Sequence, residues 1–286
     1  MKKYNYRKID AFAAGNSTGN PAACLYLKGD DELDEAAMLD IARQHKGFVS
    51  EVVYCFRSGD GSFSLRYFSS ECEVEFCGHG TIACMYVLLK ESPDLLAREV
   101  VRFQTRTKGE IAVFNEIAAN DAVFIAAPAP RHLGTGATVP EVAAALGMPS
   151  GRLATAYPVD CIDAGLRTLI VPVARLVDEV SAFPDQQTLR LFCENNDIDI
   201  VLIFSLETAC ADRFAHTRVF APRFGYLEDP ATGSGNSALG HYLLKTDCGT
   251  DRPLCWNRAA KIASTTPCGL SSATAPCFSA AGLSSE

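Results

Sequence analysis

The chain has 286 residues, 48% hydrophobic and 21% charged, with a formal net charge of −8. This length allows one large or two medium domains, and the composition is that of a soluble globular enzyme. The acidic balance argues against nucleic acid or an anionic membrane as partner, because both need a basic face.

In chain order, "MKKYNYRKIDAF" lacks the apolar core of a signal peptide, and "YRKIDAFA" (6–13) predicts an opening strand. "NSTGNPAACLYL" (16–27) reads as a turn feeding a second strand. "DELDEAAMLDIARQHK" (31–46) has helical apolar spacing, with acids early and cations late, as the helix dipole prefers. "SEVVYCFR" and "SFSLRYFS" are strand-like runs joined by the turn-former "SGDG". "EFCGHGTIAC" (75–84) leads into a helix from about Thr81 to Lys90, and 99–115 reads as a hairpin turning at "TKGE".

The pattern restarts near "AANDAVFIAAPAP" (118–130). A helix follows at 139–148, strands near 155–162 and at 167–174, and a helix at 185–196. "DIVLIFSL" (199–206), the longest apolar run, predicts a buried strand; it is far short of the roughly 18 residues a membrane span needs. After the strand "AHTRVFAP" (215–222), "GSGNSALGHYLLK" (233–245) closes with a helix. Helices follow strands while hairpins imply antiparallel pairing, so the class expected is α+β.

Two segments share an outline. "RYFSSECEVEFCGHGTIA" starts at Arg66 and "RVFAPRFGYLEDPATGSGNSALG" at Arg218. Each runs Arg-x-Phe, then turn residues, an acid, and Gly-x-Gly opening a helix. The separation from Arg to the first Gly is twelve residues in one and fifteen in the other. Duplication is the reading preferred, with domains at 1–117 and 118–246.

Helix N-termini carry unpaired N–H groups and partial positive charge, which favour anions. Glycines at Gly78, Gly80, Gly233 and Gly235 let the backbone approach a ligand closely. Two such turns facing one cleft would hold a carboxylate without a lysine. A Gly-x-Gly taken singly can also be no more than a tight strand-to-helix turn. Candidate acid–base groups fall at the same places: His79 inside the first turn, Asp229 before the second, and Glu51 where a loop enters a strand. Glu51 in a dry cleft would have its pKa raised toward the range useful for proton transfer; a solvated strand start is the other reading. Ser234 could serve as a helix cap alone.

Together, "GNPAA" (19–23), "FVSEVVY" (48–54), "RYFSSECEVEFCGHGTIA" (66–83), "RVFAP" (218–222) and "EDPATGSGNSALG" (228–240) resemble the phenazine-biosynthesis isomerase (PhzF-like) family. The resemblance implies the diaminopimelate epimerase fold: two similar domains, each a mostly antiparallel sheet wrapped around a central helix, with the active site in the cleft between them. It implies Glu51 as the acid/base glutamate, with His79 and Asp229 assisting proton movement. Gly78, Gly80, Gly233, Ser234, Gly235, Cys77, Thr232 and Asn20 would line the substrate site. It implies a small carboxylate substrate, no metal, flavin or nicotinamide, and a homodimer as the common assembly.

Racemase and epimerase relatives place one thiol on each face of the substrate carbon. Here Cys77 is kept, but Thr232 stands where the second thiol would be, and a threonine hydroxyl is a poor proton acceptor. An isomerisation run by Glu51 therefore fits better than two-thiol epimerisation. An epimerase, a hydroxyproline-dehydratase-like lyase and a non-catalytic carboxylate-binding protein are the alternatives.

The twelve cysteines show no CxxC pair with zinc-type spacing. With no export signal they read as reduced thiols of a cytoplasmic protein, several packing as small hydrophobes. Beyond "HYLLK", residues 247–286 lose strand alternation and become rich in Ser, Ala, Thr, Pro and Cys. This atypical tail reads as partly disordered or frame-shifted, leaving sheet edges unpaired.

Overall fold

A computed structural model describes residues 4–13, 19–28, 33–153, 156–209, 214–230 and 232–246, and the backbone of 254–258, 265–269, 277–279 and 284–285. The chain divides into two compact units, Met1–Pro128 with Cys277–Glu286, and Ala129–Pro276.

In the first unit β1 (Asn5–Ala11) pairs antiparallel with β2 (Asn20–Lys28), which runs parallel to β3 (Glu51–Arg57). Between them α1 (Glu35–Gln44) is capped by the Asp34 carboxylate, which accepts from the Ala37 N–H, and it buries Met38 and Ala42, one turn apart. β3 pairs antiparallel with β4 (Phe63–Phe68), and β5 (Glu73–Val74) returns briefly beside β4. Then come α2 (Gly78–Glu91) and the single turn α3 (Pro93–Leu96). β6 (Val100–Thr105) runs parallel to β4 and pairs antiparallel with β7 (Gly109–Glu116). The short α4 (Ile117–Asn120) leads to β8 (Ala122–Ala126), antiparallel to β7.

In the second unit β9 (Arg131–His132) and β11 (Arg167–Pro172) flank β10 (Asp160–Asp163), both antiparallel to it. β12 (Ile200–Ser205) runs parallel to β11 and antiparallel to β13 (Ala215–Phe220). β14 (Leu254–Arg258) lies parallel to β13 and antiparallel to β15 (Thr265–Gly269). The helices are α5 (Val139–Ala145), with a Thr138–Glu141 capping box, α6 (Leu176–Val180), α7 (Gln186–Asn195) and α8 (Gly233–Lys245). Two last strands, β16 (Cys277–Ser279) and β17 (Ser284–Ser285), pair antiparallel with β8 and β1 of the first unit.

The strand series repeats. β1-β2-β3-β4-β6-β7 and β10-β11-β12-β13-β14-β15 both pair antiparallel, parallel, antiparallel, parallel, antiparallel. Each series surrounds one helix buried over almost all its length, α2 against β1, β2, β3 and β8, and α8 against β10, β11 and β12. A helix buried on nearly every side is a core element.

The shared Arg-x-Phe outline has a physical basis. Arg66 Nε and Nη2 donate to the two Glu73 oxygens at 2.7 Å each, and Arg218 does the same to Glu228 at 3.0 and 2.8 Å. Each guanidinium also lies over the phenylalanine two residues on, 5.2 Å from Phe68 and 5.0 Å from Phe220. Phe68 faces Glu73 and Phe220 faces Glu228 in the backbone register. From either glutamate the next helix cap is four residues away, at Cys77 and Thr232. The three-residue difference in length is therefore absorbed before the glutamate, where Pro222–Phe224 adds a 3-10 turn.

Arg218 is the more deeply held clamp, because it also donates to the carbonyls of Glu179, Val180 and Ala182. Arg218→Met would strand Glu228 and three carbonyls, and a loss of about 3–5 kcal/mol is expected. Arg66→Met, at a more exposed clamp, should lose less; paired denaturant titrations measure the difference.

A buried histidine–glutamate pair sits nearby. His216 Nδ1 lies 2.9 Å from Glu179 Oε1, while Glu179 Oε2 finds no hydrogen-bond partner among the described residues. Burial holds the Glu179 carboxyl above its ordinary range, against the pull of His216. The folded state therefore retains this proton longer than the unfolded chain, so stability falls as pH rises past the ordinary glutamate range. Glu179→Gln should remove that decline, so its melting temperature relative to the parent should climb as pH rises through that range.

Most predicted elements stand where the pattern put them, with three corrections. α2 begins at Gly78 rather than Thr81, because Cys77 caps it and the glycines form its first turn. The first unit extends to Pro128, since β8 closes on β7 through Asp121 in the left-handed region (φ 48°) rather than opening the second half. The described tail residues form strands where no alternation was found. Backbone pairing with β13, β8 and β1 does not require side chains to alternate. The frame-shift and disorder readings bear mainly on residues outside those described. Among the described residues Cys24, Cys55, Cys84, Cys161 and Cys193 are free thiols, and no helix is long and apolar enough to cross a membrane.

Candidate active site

In the first unit the end of one loop and the start of one helix bring three chemically able side chains together. Glu51 is the first residue of β3, in register with Ala22 of β2. The residue is only 3% exposed. Asn20 opens β2 fully buried and accepts from the Ser50 hydroxyl at 3.2 Å, which ties the two strand starts together. Cys77 caps α2: its sulfur accepts the Gly80 N–H at 3.3 Å.

That cap aims the cysteine and His79 at the glutamate. Cys77 Sγ is 3.7 Å from Glu51 Oε2 and 3.4 Å from His79 Nδ1, and His79 Nε2 is 3.3 Å from Glu51 Oε2. The donor atoms of the three groups all lie within 4.8 Å of one another, and all three residues are buried. Thr81 anchors the turn from beneath, donating to the Cys77 carbonyl at 2.7 Å and meeting the Tyr67 hydroxyl at 2.7 Å.

Gly80 is required by close packing. A Cβ there would stand 2.7 Å from Val53 Cγ2 and 2.9 Å from Cys77 Sγ. The corresponding Gly235 faces Thr232, Val219 and Leu202 at 3.3 to 3.4 Å. Neither α2 nor α8 carries an acid in its own first turn, so no carboxylate on the helix itself offsets the positive end of its dipole.

In the second unit the counterpart turn is built differently. Thr232 stands at the cap of α8, but its hydroxyl donates to Asp229 Oδ2 instead of capping the helix. Asn236 Nδ2 donates back to the Thr232 carbonyl at 2.9 Å. Asp229, Thr232, Gly233, Ser234 and Gly235 are thus buried together in the second unit, and Asn20, Glu51, Cys77, Gly78, His79 and Gly80 are buried in the first.

The register identifies the counterparts. Val53 pairs with Tyr67 as Leu202 pairs with Val219, so Glu51, Cys77 and His79 correspond to Ile200, Thr232 and Ser234. The first unit therefore holds an acid, a thiol and an imidazole where the second holds an isoleucine and two hydroxyls. Sequence reasoning missed Ser50, Tyr67, Thr81 and Asn236 as supports. The polar Asn236 in an otherwise small-residue helix was the one available signal.

Two mostly antiparallel sheets, each wrapped on a buried helix, define the diaminopimelate epimerase-like fold. Among solved structures the chain resembles a phenazine biosynthesis protein of the PhzF family from Bacillus anthracis, with a TM-score of 0.79, 24% identity and coverage of 100% of this chain and 97% of that one. A hydroxyproline epimerase from Agrobacterium vitis shares the fold at a TM-score of 0.60 and 10% identity, with coverage of 100% and 92%.

The model of the family described as phenazine biosynthesis-like protein matches residues 9–254, and the chain belongs to that family. An "uncharacterized isomerase" of Pseudomonas aeruginosa is 31% identical over 242 residues, covering 82% of this chain and 80% of its own length. "Antisense-enhancing sequence 1" of Schizosaccharomyces pombe is 29% identical over 248 residues, with coverage of 85% and 81%.

Proposed function

We propose that this isomerase-family chain moves a proton on a small carboxylate substrate without a cofactor, using Glu51 as the general acid/base. The observation that carries the reading is the asymmetry between the two turns. One acid, one thiol and one imidazole meet in the first unit, and the register puts Ile200, Thr232 and Ser234 at their counterparts in the second. A single carboxylate can take a proton from one carbon and return it to another on the same face. Burial of Glu51 keeps bulk water from competing for that proton.

The start of α2, with no acid of its own, is suited to bind the substrate carboxylate through the N–H groups of Gly78 and its neighbours. His79 would hold or pass the proton at Nε2. Two-thiol epimerisation finds less support, since the Thr232 hydroxyl is engaged as a donor to Asp229.

The test is deuterium uptake from solvent into a panel of small cyclic and amino-acid-like carboxylates, followed by NMR. Uptake that depends on Glu51 and survives Cys77→Ala supports the proposal. Uptake that depends on Cys77 alone points to an epimerase or lyase. Ligand-induced thermal stabilisation without any uptake points to a binding protein.

A further inference from the structure

We propose that Glu51, Cys77 and His79 form a binding site for one thiophilic divalent ion of the zinc class, and that the bound ion silences proton transfer by occupying the Glu51 carboxylate. Thiolate, imidazole and carboxylate are the three protein ligand types zinc takes. Zinc holds sulfur at about 2.3 Å and nitrogen or oxygen at about 2.0–2.2 Å, so tetrahedral angles put ligand atoms roughly 3.3–3.6 Å apart. Here Nε2 to Oε2 is 3.3 Å, Sγ to Oε2 3.7 Å and Sγ to Nε2 3.9 Å. The side chains already stand close to the ligand spacing of such an ion.

All three donors rise from rigid elements, one from the start of β3 and two from the first turn of α2. The Gly80 N–H reaches the sulfur at 3.3 Å, and the helix start favours negative charge there, so the thiolate form of Cys77 has an outer partner. Three protein ligands leave the fourth tetrahedral position to water or a substrate oxygen. The counterpart positions Ile200, Thr232 and Ser234 lack this donor set, so Glu51, Cys77 and His79 form one such site among the described residues.

The proton balance is simple. Binding places the ion on the sulfur, on Nε2 and on a carboxylate oxygen, and the Cys77 thiol proton leaves to solvent. Affinity therefore rises with pH. The site stands independently of the isomerase reading; only the silencing rests on it.

Reduced, chelator-treated full-length protein titrated with Co²⁺ alone provides the test. The expected result is a thiolate-to-cobalt charge-transfer band with intense tetrahedral d–d bands, saturating at one equivalent and displaced by Zn²⁺. Cys77→Ser, which keeps a capping oxygen, should remove the charge-transfer band, while Cys72→Ser should leave it intact. His79→Ala and Glu51→Gln should each weaken Zn²⁺ binding by about tenfold or more. A band that persists in Cys77→Ser, or Zn²⁺ affinity unchanged in both other variants, overturns the site. Deuterium uptake that continues with Zn²⁺ bound, or no uptake by metal-free protein, overturns the silencing while leaving the site in place.

Discussion

Glu51→Gln is expected to reduce deuterium uptake and turnover by about 10²–10⁴-fold, the range a positioned acid/base contributes. The amide has the shape of the carboxylate and can still meet the Cys77 sulfur and His79 Nε2, which lie 3.7 and 3.3 Å from the native Oε2. Packing at the start of β3 is therefore retained, and the melting temperature should move little. The loss should fall on kcat rather than on KM, because the carboxylate of the substrate is assigned to backbone amides and not to Glu51. Removing the thiol in Cys77→Ala should cost less activity, since the sulfur supports the pair without being the base. Full deuterium uptake by the Gln variant would end the assignment.

The second large effect is expected at Gly80. An alanine methyl would enter a space already filled by Val53 Cγ2 at 2.7 Å and Cys77 Sγ at 2.9 Å. Val53 is fully buried in β3, and the sulfur is held by Glu51 and His79, so both neighbours resist displacement. Overpacking of this kind costs about 1–3 kcal/mol. Replacing glycine in a helix returns at most about 1 kcal/mol, and less at the first turn. Gly80→Ala should therefore lower the melting temperature by several degrees and reduce turnover as well, because the sulfur must shift. Gly235→Ala is the matched control. Its contacts at 3.3 to 3.4 Å need a shift of only tenths of an ångström, so its stability should stay near that of the parent. Calorimetry on both variants decides; equal losses would refute the packing argument.

Much of the frame was legible in the sequence because two kinds of local signal carried it. Apolar spacing with acids early and cations late located α1, and the run from Gly233 to Lys245 coincides with α8 from end to end. The glycines of α2 misled for a physical reason, since propensity places Gly-x-Gly outside a helix and burial overrides it here. Which acid Arg66 clamps was not readable among Glu71, Glu73 and Glu75. The β4–β5 register selects Glu73 by bringing it opposite Phe68. The proximity of Glu51 to Cys77 spans 26 positions and is set by where β3 and α2 begin, a long-range outcome that periodicity does not encode. The tail strands were invisible because their pairing lies in main-chain groups, which every sequence shares.

The return of β16 and β17 to β8 and β1 has a consequence for biosynthesis. A nascent chain emerging from the ribosome can assemble β1 to β8 early, but that sheet stays incomplete at both of those strands until β16 and β17 have been translated. The leading unit must then wait, with open margins, while the whole trailing unit is made. Holding those margins apart from other chains during that interval is a task for cellular chaperones or for slow translation, and a polypeptide cut short before Cys277 would never leave that state.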